Sequence, residues 1–342
     1  MGWLAHKLDR FKPWLDDPAT IEVSVNPDRS IWILKRGDVH MKPTGERVDP
    51  GFGHSLANQI AGENQAQTGR DKLLVSATVA YHDRPIRAQA VLAPATPQEA
   101  ALSFRLFAAL PIEDIELRFL HGKQVALDAE RKKRNASLNE LIEAGDLMAA
   151  LRFCVTHKLN ILISGGTDTG KSVALRKIIS MIPQQDRIIT IEDARELFPD
   201  QPNTVSLIAD RGGNTRTPDM LLEATLRMRP DRLIVGEVRG KEAMTFLEAV
   251  NTGHGGSLTT LHAETPQLAV RRLAIAALKT DVPMTYADMV DYIEGSIDVI
   301  IQAGRHDGAR GITEFFLPGQ ARHPDQNTGP AGGAERPTVA AE

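Results

Sequence analysis

The sequence contains a single cysteine, Cys154, so no intramolecular disulfide can form and a reducing compartment is expected. It also lacks any run of about 20 apolar residues that could cross a bilayer. The amino terminus shows neither a secretory signal nor a myristoylation pattern, because charged residues interrupt its apolar positions and position 6 is not Ser or Thr. These absences predict a cytoplasmic protein that contacts a membrane only through partners.

A strong excess of charge of one sign is absent as well. The formal net charge is −4, so no global basic field attracts nucleic acid, and we expect no strong nucleic-acid site. Apolar residues make up 42% and charged residues 25%, which is typical of a soluble globular protein. A chain of 342 residues has room for two domains at roughly 150 residues each.

Residues 1–119 are predicted to form a small α+β domain. Apolar spacing predicts a helix over 3–15, which we interpret as packing on its own domain rather than lying on a membrane surface. A second helix is predicted near Gly53–Ile60. The predicted strands are Ile21–Val25, Ile31–Lys35, Leu73–Tyr81 and Arg87–Leu92.

Two further segments lack apolar periodicity. Residues 120–137 are polar and contain the run Arg131-Lys132-Lys133-Arg134, which we interpret as part of a solvated interdomain linker rather than a nucleic-acid or lipid patch. Residues 319–342 are rich in Pro, Gly and Ala, and are predicted to be disordered.

Between these segments, residues 138–318 alternate helices with short apolar strands. The predicted helices are 138–157, 171–182, 218–228 and 241–250, and the predicted strands are 160–164, 187–191, 232–235 and 257–261. This alternation is typical of a largely parallel sheet covered by helices.

The strongest motif is a glycine-rich loop between a predicted strand and a predicted helix, which fits the phosphate-binding template G-x-x-x-x-G-K-[ST]. Its residues are Gly165, Gly166, Thr167, Asp168, Thr169, Gly170, Lys171 and Ser172. In such a loop, backbone N–H groups and the helix N-terminus converge on phosphates. The lysine contacts the β- and γ-phosphates and the Ser172 hydroxyl ligates Mg²⁺. The loop therefore predicts a site for ATP and Mg²⁺.

Asp168 fits this loop badly. A carboxylate so close to polyphosphate weakens binding unless Mg²⁺, another cation or a turned-away side chain compensates. We expect it to pair with Lys171 when no nucleotide is bound. The alternative interpretation is a short polar residue that tolerates a positive φ angle.

Two carboxylates are expected to face the loop. Glu192 and Glu237 each follow a predicted strand, and ligands of open parallel sheets bind beyond the carboxyl ends of the strands. An acid on the strand that pairs beside the phosphate-loop strand would hold Mg²⁺ or orient the attacking water.

Two histidines bracket the strand predicted over 257–261. No Cys or His partners stand at zinc-ligand spacing, so a zinc site is excluded. His254 is compatible with a buried structural role. His262 ends the strand and is better placed to contact a phosphate.

Four motifs in fixed order resemble the hexameric secretion ATPases, and most closely their type IV secretion branch. They are the loop at 165–172, the TIED segment at 190–193, RPDRLIVGEVRG at 229–240 and TGHGGSLTTLH at 252–262. The resemblance covers roughly residues 15–318. It implies an amino-terminal α+β domain and a RecA-like P-loop ATPase domain, assembled as a homohexamer with nucleotide between the two domains.

The resemblance also implies roles for individual residues. Lys171 and Ser172 would hold phosphates and Mg²⁺, Glu237 would polarise water, Glu192 would support metal or water, and His262 would approach the γ-phosphate. Arg118 matches an arginine that family members supply from the first domain. Either Arg84 or Arg87 is a candidate for a second.

The implied function is a motor that powers apparatus or pilus assembly and export of protein or DNA. Its expected partners are the cytoplasmic domains of secretion-system membrane proteins and a secreted substrate, at the cytoplasmic face of the inner membrane. Asp168 departs from the family's usual glycine, Ser172 replaces the commoner threonine, and the tetracysteine zinc module of many type II relatives is absent. The alternatives are a nucleotide-gated scaffold with weak hydrolysis, a pilus or tight-adherence ATPase, and a DNA translocase supported only by residues 131–134.

Overall fold

The computed structural model describes residues 3–82, 84–107, 113 and 116–320. Within these residues the strands form two sheets, one of six strands and one of seven. An α+β part therefore precedes an α/β part, as predicted. The predicted disordered tail lies outside the described residues from 321 onward, and no helix of the described part has the length and apolar character to cross a bilayer.

The first sheet is antiparallel. Its strands are β1 (Thr20–Val25), β2 (Ser30–Lys35), β3 (Lys42–Arg47), β4 (Leu74–Tyr81), β5 (Arg84–Val91) and β6 (Ala101–Leu106). They lie in the order β3-β2-β1-β6-β5-β4. The accompanying helices are α1 (Trp3–Leu8), α2 (Lys12–Leu15) and α3 (Phe52–Glu63), with a 3₁₀ turn at Asp9–Phe11 between the first two. The helix predicted near residue 53 is confirmed. The segment 3–15 is helical as predicted, but the 3₁₀ turn divides it into two short helices, so the prediction of one continuous helix is wrong.

The helices bury one face of this sheet. Leu4, Leu8 and Phe11 recur at helical spacing and are almost fully buried. The Phe11 ring lies 5.5 Å from that of Phe104 on β6, centroid to centroid. Each large apolar side chain buried in this way contributes about 1.5–3 kcal/mol to stability.

The second sheet is parallel except for its last hairpin. Its strands are β7 (Ile161–Gly165), β8 (Ile188–Glu192), β9 (Thr204–Ile208), β10 (Arg232–Val235), β11 (Leu258–His262), β12 (Val299–His306) and β13 (Ala309–Phe316). Their order is β13-β12-β7-β11-β10-β8-β9, and only β12 and β13 pair antiparallel. Its helices include α6 (Lys171–Ile179), α7 (Pro218–Thr225), α8 (Glu242–Asn251), α9 (Pro266–Ala277) and α10 (Tyr286–Ser296).

The strand order corrects one expectation. The neighbours of β7 are β11 and β12, so the strand beside the phosphate loop carries His262 rather than an acid. Glu237 follows β10, the next strand along, and Glu192 ends β8 beyond it. The acids still face the loop, because parallel strands bring their carboxyl ends to one edge.

Two helices, α4 (Leu127–Glu143) and α5 (Leu147–Thr156), replace the single helix predicted over 138–157. Gly145, at φ +71°, ends the first, and the Asp146 carboxylate caps the second by accepting the Ala149 N–H at 2.9 Å. The prediction of one helix is therefore wrong. The domain division at 120–137 stays a prediction, although α4 occupies much of that segment.

The basic run lies on α4, and half of it contacts residues at the carboxyl end of α10 and before β12. Arg131 donates to the Gly295 carbonyl at 2.9 Å, and Arg134 pairs with Asp298 at 2.6 Å. The interpretation of the run as solvated is therefore wrong for these two residues. Arg131 and Arg134 lie at the carboxyl end of α10, where free carbonyls and the negative end of the helix dipole attract positive charge.

Arg187 joins the two sheets. Its side chain is fully buried, Nε donates to the Met228 carbonyl at 3.0 Å, and one terminal nitrogen donates to the Asn26 and Asn203 side-chain oxygens. Asn26 directly follows β1, whereas Asn203 precedes β9. Burial lowers the pKa of Arg187 to about 10, against the opposing charges of Glu22 and Asp231. One buried guanidinium thus donates hydrogen bonds to residues that follow a strand of the first sheet and precede a strand of the second.

We expect Arg187→Met to lower the free energy of unfolding by about 3 kcal/mol, because the two asparagine oxygens lose a buried donor. Urea denaturation measures this. Arg36→Met, at an exposed position with no side-chain contact recorded in the described chain, is the matched control and should cost less than about 0.5 kcal/mol. Equal costs for the two variants would contradict this account of the interface.

Candidate nucleotide-binding site

The phosphate loop connects β7 to α6, and two of its glycines are required by geometry. Gly170 has φ +91° and is the N-cap residue of α6. At Gly165, a Cβ would lie 2.7 Å from the carbonyl oxygen of Ala303 on β12. The loop is therefore pressed against the neighbouring strand and turns sharply so that the amino end of α6 faces the cavity.

Lys171 begins α6, and its ammonium lies within the loop. Nζ donates to the carbonyls of Gly165 at 3.0 Å and Gly166 at 2.6 Å, and lies 3.2 Å from His262 Nδ1. Burial lowers the pKa of Lys171, while the charges of Glu237 and Glu264 oppose the shift. The expected pairing of Asp168 with Lys171 is wrong, since the lysine's recorded partners in the described chain are these carbonyls and the imidazole.

His262 links the lysine to Glu237. An ammonium cannot accept a hydrogen bond, so His262 Nδ1 must be the acceptor and Nε2, 3.4 Å from Glu237 Oε1, carries the proton. Burial, together with the charges of Lys171, Arg239 and Arg272, lowers the pKa of His262 despite Glu237. The neutral imidazole therefore bridges a cation and a carboxylate.

Glu237 follows β10 and is held by Arg239, whose guanidinium contacts Oε2 at 2.5 Å. Burial alone would raise the pKa of Glu237, but the hydrogen bond from Arg239 and the charges of Arg239, His262 and Lys171 bring it below its ordinary value. The carboxylate is consequently ionised at neutral pH. Such a group accepts hydrogen bonds well and is a weak base.

Glu192 lines the cavity, but much of its hydrogen-bonding capacity is used by the protein. Its Oε1 accepts the backbone N–H groups of Glu196 at 2.8 Å and Leu197 at 2.9 Å, and Oε2 accepts the Thr190 hydroxyl at 3.0 Å. The carboxylate thereby fixes the loop after β8. Its predicted role towards metal or water stays a prediction, for which Oε2 retains acceptor capacity.

A group that the sequence reasoning missed surrounds Arg211. This side chain contacts both oxygens of Asp193 at 2.8–2.9 Å, Glu242 Oε1 at 2.7 Å and the Glu237 carbonyl at 2.8 Å. Glu242 is buried and also accepts the backbone N–H of Arg239 at 2.7 Å. The network orders the segment that carries Glu237. Asp193 and Arg239 had signals in the sequence, as parts of the TIED and GEVRG segments, whereas Arg211 and Glu242 had none.

Asp168 has the positive φ angle that its alternative interpretation required, +62°. Its carboxylate is paired with two arginines of the β12–β13 hairpin, with Arg310 at 2.5 Å and Arg305 at 3.5 Å. The cation expected to compensate for Asp168 is therefore present, and it comes from a segment in which sequence reasoning identified no functional residue.

These elements enclose a cavity of about 400 Å³. Its lining includes Asp168, Thr169, Gly170, Lys171, Ser172, Glu192, Asp193, Glu237, Arg239, His262 and Arg310. Among the described residues, those that line it all fall between 168 and 310. The loop residues Gly165, Gly166 and Thr167 are not part of this lining.

Three predicted contributors lie elsewhere. Arg118 is exposed and does not line the cavity of its own chain. Arg84 donates to the carbonyls of Leu15 and Thr20, and Arg87 lies over the Phe107 ring. Nothing in the described single chain brings these arginines to the phosphate loop, so the role of Arg118 stays a prediction.

His254 is half-buried, and the structural role considered for it stays a prediction. Its Nδ1 lies 3.2 Å from the Ala249 carbonyl at the end of α8. Burial lowers its pKa despite this hydrogen bond.

A family model described as "Type II/IV secretion system protein" matches residues 33–305. Protein VirB11 of Agrobacterium fabrum is 30% identical over 334 residues, covering 92% of this chain and 94% of the relative. The type IV secretion system protein VirB11 of Brucella suis biovar 1 is 30% identical over 324 residues, covering 90% and 88%.

The fold is similar to a solved structure as well. The crystal structure of the VirB11 ATPase from the Brucella suis type IV secretion system, in complex with sulphate, has a TM-score of 0.79 and 28% identity, and the match covers 92% of this chain and 94% of that one. The predicted fold class and resemblance are confirmed. With its phosphate loop, ordered acids and two-sheet architecture, the chain belongs to the family of type II/IV secretion system proteins.

Proposed function

We propose that this chain is the ATP-hydrolysing subunit of a motor that energises type IV secretion. The observation that carries the proposal is the line of contacts from Lys171 through His262 to Glu237 above the phosphate loop. It sets a cation for phosphate, a neutral imidazole and an ionised acid side by side. Such a set suits phosphoryl transfer to water, because catalysis of that reaction rests on positioning and on charge stabilisation.

In this proposal, Lys171 transfers its hydrogen bonds from the loop carbonyls to the β- and γ-phosphates. Glu237, fixed by Arg239 through one oxygen, accepts a hydrogen bond from the attacking water and orients it in line with the γ-phosphate. His262 lies between Lys171 and Glu237, and its Nε2–H group donates a hydrogen bond to Glu237 or to a phosphate oxygen, with no proton transferred. The reaction is ATP plus water giving ADP and phosphate.

The donors around the cavity suit Mg²⁺. The Ser172 hydroxyl stands in the first turn of α6, and the carboxylates of Glu192, Asp193 and Glu237 line the same cavity. Oxygen donors of this kind are the ligands that Mg²⁺ prefers, often through retained waters. When bound, the ion would neutralise charge on the β- and γ-phosphates. Ser172 would hold it directly.

We propose further that the subunit works as a homohexamer. Arg118 then serves the cavity of a neighbouring subunit, since it is remote from the lining of its own. Secretion-system membrane proteins and a secreted substrate are the proposed partners, and they hold the ring at the cytoplasmic face of the inner membrane. VirB11 relatives named for type IV secretion support this over a pilus or tight-adherence role.

Two other functions receive less support. The first is a nucleotide-gated scaffold with weak hydrolysis. Its only support in the sequence is Asp168, and that residue forms ion pairs with Arg310 and Arg305. The second is a DNA translocase, which rests on the basic residues 131–134. Two of these four residues contact other residues of the same chain.

We expect Lys171→Ala to lower steady-state ATP turnover at least about 100-fold, the scale of losing one preorganised donor at a developing charge. Lys177→Ala, on the same helix but outside the cavity lining, is the control and should leave turnover unchanged within about 2-fold. Phosphate release by the full chain measures both. Turnover in Lys171→Ala close to that of the control would overturn the site assignment.

Glu237→Gln is expected to retain ATP binding and to lower turnover at least about 100-fold, because the amide presents a weaker acceptor to the attacking water. Glu248→Gln, exposed on α8, is the matched control. Binding and turnover are measured on the same preparations. Equal loss of binding and turnover would instead make Glu237 a metal-binding or folding residue.

Turnover is expected to fall on the acid side as His262 gains a proton. Since its pKa lies below the ordinary value of 6.5, the neutral form persists at pH 7 and activity is lost as pH falls through that lowered pKa. Protonation removes the acceptor for Lys171 and places two cations 3.2 Å apart. His262→Gln should lower turnover and abolish this acid limb, whereas exposed His157→Gln should keep it. An unchanged acid limb in His262→Gln would assign the titration to another group.

A further inference from the structure

The β12–β13 hairpin presents two arginines to the phosphate loop. Arg305 and Arg310 are directly opposite each other in the antiparallel register, one pair away from the turn. The turn is tight, since Asp307 and Gly308 have φ angles of +47° and +81°. Like charges in opposed positions destabilise a hairpin unless something neutralises them.

Asp168 supplies that neutralisation. One carboxylate oxygen contacts Arg310 and the other contacts Arg305. The two unusual features therefore complement each other: an acid within the phosphate loop and an arginine pair on the hairpin. Together the three side chains carry a net charge of +1, so the group as a whole attracts polyphosphate.

Arg310 is the closer partner and also reaches the nucleotide cavity. Its guanidinium lies 2.5 Å from Asp168 Oδ1. The aliphatic part of the Arg310 side chain packs on the loop, since a Cβ placed on Gly170 would lie 3.6 Å from Arg310 Cβ and 3.7 Å from Arg310 Cδ. Gly170 immediately precedes Lys171. The hairpin therefore contacts both the charged side chain of Asp168 and the backbone of the loop at Gly170.

We propose that Arg310 is a positioning residue for the nucleotide site, which neutralises Asp168 and thereby sets the affinity for nucleotide. The inference rests on the proposed function. In it, Arg310 acts through Asp168: without Arg310, the carboxylate keeps only the longer contact with Arg305 and places a poorly compensated negative charge among amides that converge on phosphate. Asp168 and Arg310 form a unit, and the cost of losing the arginine depends on the presence of the acid.

A double-mutant cycle on the full chain tests this dependence. Equilibrium binding of ADP and of the slowly hydrolysed analogue ATPγS is measured at fixed Mg²⁺ for the unchanged chain, Arg310→Ala, Asp168→Gly and the double variant. We expect Arg310→Ala to weaken binding about 5- to 10-fold, or about 1–1.4 kcal/mol. In the Asp168→Gly background the same change should cost less than about 2-fold. Asp168→Gly alone should bind nucleotide at least as tightly as the unchanged chain.

Four further variants separate charge compensation from packing and supply the controls. Arg310→Lys keeps a cation and should recover part of the affinity, while Arg310→Gln repeats the cycle if the alanine variant fails to fold. Arg305→Ala, with its longer contact, should have the smaller effect, and Arg36→Ala is the remote control. The difference between Arg310→Ala and the unchanged chain should shrink as salt rises, because both partners are half-exposed.

Equal losses for Arg310→Ala in the two backgrounds would overturn the proposal and make Arg310 a direct nucleotide contact. No loss in either background would overturn it as well. A different measurement would contradict the proposed function: no ATP turnover in the unchanged chain, or full turnover in Lys171→Ala. A chain that binds no nucleotide at all would overturn both.

Discussion

The parallel pairing of β7 with β11 on one side and β12 on the other fixes most of the groups around the phosphate loop. The register with β11 sets His262 beside Gly165, so its imidazole lies next to the lysine that the loop presents. The register with β12 sets Gln302 beside Ser164. The carbonyl of the next residue, Ala303, packs closely against Gly165. A shift of one residue in either pair would turn these side chains to the other face. The chemistry of the site is thus a consequence of strand register.

Local charge pairing is the second constraint. Three of the acids that line the cavity have arginine partners: Glu237 with Arg239, Asp193 with Arg211, and Asp168 with Arg310. Lys171 is different, because its nearest partners are carbonyls and a neutral imidazole. Its positive charge is therefore available to phosphate, while the carboxylates keep their positions without adding a strong negative field. This arrangement suits a site that must bind an anion and still hold an ionised acid beside it.

Sequence reasoning could predict the parts of the site that depend on local pattern. The loop at 165–172, the alternation of helices with apolar strands, and the acids at strand ends all follow from residues close together in the chain. The Gly145-Asp146 break between α4 and α5 was also readable, because a glycine followed by a capping acid ends one helix and begins another. Strand order was not readable. The contact of Arg310 with Asp168 joins residues 142 positions apart, and no local signal marks either as the partner of the other.

The position of β8 connects the site to the interface between the two sheets. Arg187, which binds Asn26 beyond β1, immediately precedes this strand, and Glu192 is its last residue. A strand of five residues spans about 17 Å, so the interface contact and the cavity wall lie at opposite ends of one rigid element. Glu192 then holds the backbone of Glu196 and Leu197 against the cavity. The loop after β8 is consequently one part of the cavity wall in direct covalent continuity with the interdomain contact. Within the sheet, β11 and β10 lie between β7 and β8. Along the chain, α6 leads from the phosphate loop towards Arg187, so the loop is connected to that interface through both routes.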